Sequence, residues 1–146
     1  MPVTLYQPEI AGNVGNVLRS CACFGHALHI VEPTGFPLAA RDLRRAAMDY
    51  GAKAEVHRHA TWEAYAEAAT GRRVLFTVRA DTTLDAARLC PDDHLVFGRE
   101  SAGVPDAVHA AADLRVRVPI VAGARSLNLA NTVAIALFEQ FRQGRA

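Results

Sequence analysis

Short apolar runs recur along this chain with room for about one helix between most of them. Residues 3–6, 28–31, 54–57, 74–78, 95–97 and 114–118 read as strands, and residues 13–25, 39–50, 61–69 and 129–142 read as helices. Strands joined through helices lie parallel, because a parallel neighbour is reached only by a crossover. The pattern therefore predicts an α/β fold, a mostly parallel sheet flanked by helices. Local punctuation agrees. Gly25 suits a helix C-cap, Thr61 suits an N-cap, and Pro105 with Asp106 suits the first turn of a short helix. A length of 146 residues without repeat or linker predicts one domain, 1–146.

Composition excludes several classes. No apolar run approaches the roughly 20 residues that cross a bilayer. The first residues, Met-Pro-Val-Thr-Leu-Tyr, lack the basic and apolar regions of a signal peptide, so a cytoplasmic protein is expected. Cys21, Cys23 and Cys90 form no disulfide or zinc spacing and read as buried small apolar residues. His57 and His59 share a strand face, but no carboxylate or Cys follows at ligand spacing, so no metal is expected. Net charge is only +1, yet the 16 cations are 15 Arg and the single Lys53. Arg is the better residue for forked contacts to phosphate.

Three distant segments share one design, an apolar run ending in small or amide residues. They are Asn13-Val14-Gly15-Asn16-Val17-Leu18-Arg19, then Phe97-Gly98-Arg99-Glu100-Ser101-Ala102-Gly103-Val104-Pro105, then Val118-Pro119-Ile120 running on to Arg125-Ser126-Leu127-Asn128-Leu129-Ala130-Asn131. Ligands of parallel sheets bind beyond the carboxyl ends of the strands, so the three predict a single composite site. Asn13, Asn16 and Arg19 are spaced along one helical stripe, with Val14, Val17, Leu18 and Cys21 opposite. Gly98 lets backbone approach a ligand, and Ser126 or Asn128 can cap the last helix. A dinucleotide fold with Glu32 on a ribose is disfavoured, because the G-x-G-x-x-G spacing is absent.

The last helix is apolar on two sides, with Leu129, Val133, Ala136 and Leu137 on one and Ala130, Ala134, Phe138 and Phe141 on the other. Such a helix is buried twice. In so small a domain the second cover is expected to be another subunit, giving a homodimer through the C-terminal helix.

Together the three segments resemble the motifs of the SPOUT class of S-adenosylmethionine-dependent RNA methyltransferases, and most of all its small bacterial branch of tRNA ribose 2′-O-methyltransferases acting at wobble nucleotide 34. Leu5-Tyr6-Gln7-Pro8-Glu9-Ile10 with Asn13, Gly15, Asn16 and Arg19 resembles the first motif. Phe97-Gly98, Glu100-Ser101, Gly103 and Pro105 resemble the second, and Pro119-Ile120 with 126–131 the third. The resemblance spans essentially the whole chain. It implies a C-terminal trefoil knot, an obligate dimer, and S-adenosylmethionine held by Thr77 or Val78, Gly98, Val118, Ile120, Ser126 and Leu127. It implies Arg19 as the central catalytic residue, with Asn13, Glu100, Ser126 and Asn128 positioning it, the cofactor or the ribose. Arg side chains do not deprotonate, so Arg19 is read as a clamp on RNA phosphate and a stabiliser of the forming oxyanion. Arg41, Arg44 and Arg45 are expected to bind the tRNA anticodon stem-loop. The competing readings are an RNA-binding homodimer that has lost catalysis, a 2′-O-methyltransferase acting elsewhere in tRNA or rRNA, and a nucleotide-binding enzyme.

Overall fold

A computed structural model describes residues 1–39 and 55–144. Its elements are β1 (Val3–Tyr6), α1 (Ala11–Phe24), β2 (Leu28–Val31), β3 (Val56–His59), α2 (Trp62–Ala68), β4 (Arg73–Phe76), β5 (Thr82–Thr83), β6 (His94–Phe97), α3 (Asp106–Ala110), β7 (Leu114–Arg117) and α4 (Leu129–Gln143). The helix expected at 39–50 lies, beyond its first residue, outside the described residues, as do Arg41, Arg44 and Arg45, expected to contact RNA.

The strands form one seven-stranded sheet in the order β3-β2-β1-β6-β4-β7-β5, every pair parallel. Alternation assigns the faces. Val3 and Leu5, Leu28 and Ile30, Val74 and Phe76, Leu95 and Phe97, and Val116 join one core with Val14, Val17, Leu18 and Cys21 of α1 and Val133, Ala136 and Leu137 of α4. The two helices pack side by side there. Each Val, Leu, Ile or Phe among them contributes roughly 1.5–3 kcal/mol on full burial. The opposite face packs Tyr6 and Val31 against Tyr65 of α2 and Val108 of α3.

That second face also gathers histidines. His29 Nδ1 and His59 Nε2 lie 2.9 Å apart, the His57 ring is 4.7 Å from that of His29, and His94 meets the Tyr65 hydroxyl. Burial, reinforced by its histidine neighbours, pushes the His29 pKa down to about 4. Among the described residues no group of three potential ligands is placed to hold a metal ion, and no helix is long and apolar enough to cross a membrane.

Several boundaries differ from the sequence reading. Helix α1 begins at Ala11, before Asn13, and its N-cap, Ile10, offers no side-chain bond. Strand β3 ends at His59 instead of His57, and β4 ends at Phe76 because the chain turns through Thr77. Strand β5 was not foreseen; two residues cannot display a period, and it exists by pairing with β7. Only Cys21 is buried, where desolvation pushes its thiol up to about 12; Cys23 and Cys90 are exposed. Helices α1 and α2 do end and start as expected, with Gly25 at φ 72 and the Thr61 hydroxyl accepting from Ala64 N–H.

Candidate active site

Strand β6 delivers the first part of the site. After Phe97 the chain doubles back, Arg99 N–H donating to Gly103 O and Gly103 N–H to Arg99 O, each at 2.9 Å. A Cβ on Gly98 would stand 2.5 Å from the carbonyl carbon of Gly103. Glycine is therefore required by this close approach, whatever ligand the backbone also meets.

The turn presents Glu100 to the start of α1. One carboxylate oxygen accepts from Glu9 N–H at 2.9 Å, the other from Ile10 N–H at 3.2 Å and from Asn13 Nδ2 at 3.1 Å. The N–H of the N-cap Ile10 and that of Glu9 before it, at the positive end of the helix, are thus met by a carboxylate some 90 residues away. Ser101 answers in the other direction, its backbone N–H and its hydroxyl both donating to the Glu9 carboxylate at 2.8 Å. Those two bonds hold the Glu9 carboxyl below its usual value.

Asn128 brings in the third segment. Its side-chain oxygen accepts from Ala130 and Asn131 N–H, capping α4, while its Nδ2 donates to Asn13 Oδ1 at 2.9 Å. Asn13, only 6% exposed, therefore accepts from Asn128 and donates to Glu100, which a buried amide needs. Glu100, Asn13 and Asn128 form one chain of hydrogen bonds through all three segments.

This chain borders a pocket of about 970 Å³ at the carboxyl ends of β4, β6 and β7. Of the predicted site residues, Asn13, Thr77, Val78, Gly98, Glu100, Val118, Ile120, Ser126, Leu127 and Asn128 all line it. Val78 (72% exposed), Ile120 and Leu127 (each 38%) leave apolar surface uncovered there. Arg19 does not line it. It is exposed on α1, six residues and so about 9 Å along the helix axis from Asn13. Asn13, Asn16 and Arg19 accordingly do not form one open stripe, since Asn13 is buried and the other two are exposed. Glu100 lines the pocket while its two oxygens accept three bonds from the α1 end, so most of its acceptor capacity is spent on holding that end in place. Glu32, the candidate ribose ligand of a dinucleotide fold, instead pairs with Arg58 at 2.6 Å.

Sequence reasoning missed the Glu9–Ser101 lock and the arginines of the pocket wall, Arg79, Arg99, Arg117 and Arg125. Glu9 and Ser101 stood within recognised motifs, but nothing local showed that they meet. Arg99 and Arg125 stood inside two of the three segments without a role, and Arg79 and Arg117 only within the Arg count.

A family model described as "SpoU rRNA Methylase family" matches residues 1–138. A relative from Ancylobacter novellus named tRNA (cytidine(34)-2′-O)-methyltransferase is 47% identical over 146 residues, covering 98% of this chain and 92% of that one. A solved structure described as "Structural insights into the 2-OH methylation of C/U34 on tRNA" superposes with a TM-score of 0.91 at 39% identity, covering 98% and 95% of the two chains. An AdoMet-bound rRNA methyltransferase from Sinorhizobium meliloti superposes at 0.84 with 27% identity, over 96% of this chain and 55% of that one.

Proposed function

The chain belongs to the SpoU rRNA methylase family, and from that footing we propose that it methylates the ribose 2′-hydroxyl of nucleotide 34, cytidine or uridine, in the anticodon loop of tRNA, using S-adenosylmethionine. The observation that carries this is the hydrogen-bonded chain from Glu100 through Asn13 to Asn128, which gathers three sequence motifs around one pocket.

The pocket fits the cofactor. Its volume lies within the range of about 300–1,000 Å³ usual for small-molecule sites, and Val78, Ile120 and Leu127 offer uncovered apolar surface for an adenosyl group. Thr77, Val78, Gly98, Val118, Ile120, Ser126 and Leu127 would hold it. When bound, the cofactor supplies a methyl group on a sulfonium, an already good leaving group. The protein has to bring the ribose oxygen into line, exclude water and stabilise developing negative charge. Ser126, exposed on the pocket wall, is free to orient the ribose. Asn13, Asn128 and Glu100 hold the frame. Arg19 acts from α1 as a clamp on the RNA phosphate and a source of positive charge for the oxyanion, with the proton leaving through phosphate or water.

The homodimer belongs to the same proposal. The outward face of α4 leaves Phe138 59% exposed, with Ile135 and Phe141 at 39% each, an apolar surface that a second copy would cover. So does the trefoil knot, supported by the way 77–93 reaches around later chain. Leu84 N–H donates to Arg117 O, and Gln143 at the end of α4 bonds both Ala87 and Leu89. A single domain over 1–146 and a cytoplasmic location accord with a tRNA substrate.

The test is incubation with total tRNA and labelled S-adenosylmethionine, followed by nucleoside mapping. Label is expected as 2′-O-methylcytidine or 2′-O-methyluridine at position 34; label confined to another position, or none, refutes the assignment. Arg19→Ala is expected to abolish transfer while cofactor binding persists, and full transfer by that variant would remove Arg19 from the mechanism.

A further inference from the structure

The charge of the pocket does not suit the cofactor that fits its apolar wall. Four arginines line it, Arg79, Arg99, Arg117 and Arg125, against two carboxylates, Glu100 and Asp106. Asp106 pairs with Arg79 at 3.2 Å, and Glu100 is turned to α1. Arg99, Arg117 and Arg125 form no ion pair among the described residues, whereas away from the pocket Arg58, Arg72, Arg73 and Arg142 each have a carboxylate, Arg115 is spent on His109 and backbone carbonyls, and only the exposed Arg88 is likewise without one. Arg99 keeps bonding capacity at atomic level, although its charge helps to lower the Glu9 carboxyl and its guanidinium faces an aromatic ring. Its buried Nε has no hydrogen-bond acceptor, and its guanidinium lies 5.9 Å from the centre of the Tyr6 ring.

S-adenosylmethionine carries a sulfonium, an ammonium and one carboxylate, a net charge of about +1 at neutral pH. Surplus cations do nothing to recruit such a ligand. They suit a polyanion, and guanidinium forks match phosphate oxygens in particular. Resting on the function proposed above, we propose that Arg99, Arg117 and Arg125 are phosphate contacts that hold the tRNA anticodon-loop backbone across the pocket. They come from three separate stretches, the turn after β6, the end of β7 and the segment before α4. The RNA is therefore gripped at several points around the target ribose. Contacts of this kind fix position and carry salt dependence without reading bases.

The experiment measures binding of a labelled anticodon stem-loop over a salt series, and of S-adenosylhomocysteine by calorimetry, for wild type, Arg117→Gln, Arg125→Gln, Arg99→Gln and Arg99→Lys. Arg88→Gln, which removes an exposed charge outside the pocket, is the control. Each Gln variant in the pocket is expected to weaken RNA binding about three- to tenfold and to lower the salt slope by about 0.7–0.9, with cofactor-product affinity held within about twofold. Arg99→Lys is expected to recover most of the loss, and Arg88→Gln to match wild type. RNA affinity unchanged in Arg117→Gln and Arg125→Gln overturns the inference. So does a loss of S-adenosylhomocysteine binding in its place, or an equal loss in Arg88→Gln. Wild type that neither binds nor methylates the RNA overturns the function itself; an active wild type with unaffected variants overturns only the phosphate assignment.

Discussion

Helices α1 and α4 lie side by side and begin at the same pocket, yet their first turns are closed in opposite ways. Helix α4 is capped from within its own sequence, by the Asn128 oxygen on the N–H groups of residues 130 and 131. Helix α1 has no side-chain cap of its own at Ile10 and depends on Glu100 from the turn after β6. The Asn13–Asn128 bond then ties the two ends together. A local cap fixes where a helix starts. A remote cap fixes in addition where that helix sits relative to another loop, which a composite pocket needs and propensity alone does not provide.

The remote cap is the more costly to remove. Glu100→Ala strips acceptors from two backbone N–H groups and from the buried Asn13 amide at once. Hydrogen bonds to a charged group contribute about 1.5–3 kcal/mol each, and partial exposure lets water recover some of that. A loss of roughly 3 kcal/mol in urea denaturation is expected, together with a collapse of turnover. Glu100→Gln keeps one acceptor oxygen and should lose about half as much. A loss below about 1 kcal/mol in Glu100→Ala would show that water satisfies the α1 end and that the remote cap is ornamental.

The same contrast explains what the sequence made legible. Strand–helix alternation gave the parallel sheet, because side-chain period and apolar runs are local properties. Gly25, Thr61 and Asn128 were readable as caps for the same reason. Asn13 is the nearest cap-forming residue in the local sequence, whereas the acceptor that meets the start of α1, Glu100, lies far along the chain. Asn13 looked like a polar residue on an open stripe, when it is the buried middle of a bonded chain. The residues of the pocket came from motif resemblance, and the structure brings most of them together. The unpaired state of Arg99, Arg117 and Arg125 was invisible, since pairing depends on which carboxylates the fold sends elsewhere.

Asn128 mixes the two kinds of closure, and its variants separate them. Asn128→Ala removes the cap, about 1 kcal/mol, and leaves the buried Asn13 oxygen without its donor, so a total near 2 kcal/mol is expected. Asn128→Asp keeps a capping oxygen and adds favourable charge at the positive helix end, but cannot donate to Asn13 when ionised. Its loss should be roughly 1 kcal/mol, the broken link between the helices partly offset by the charge gained at the helix end. A double-mutant cycle with Asn13→Ala is expected to show coupling of about 1 kcal/mol. Additive losses would mean that the two helix ends are independent.

Thr61 gives the purely local baseline. Its hydroxyl accepts from Ala64 N–H, three residues on, and α2 touches neither the pocket nor the Glu100 chain. Thr61→Ala should cost about 1 kcal/mol, as an exposed N-cap does, while Thr61→Asp should cost little because it retains an acceptor at the same place. Methyl transfer should be unaffected in both. The decisive quantity is the ratio of activity lost to stability lost, near zero at Thr61 and large at Glu100. If Thr61→Ala impaired transfer as much as Glu100→Ala did, helix closure anywhere in the fold would suffice to damage the enzyme. The distinction between a cap that ends a helix and a cap that builds a site would then fail.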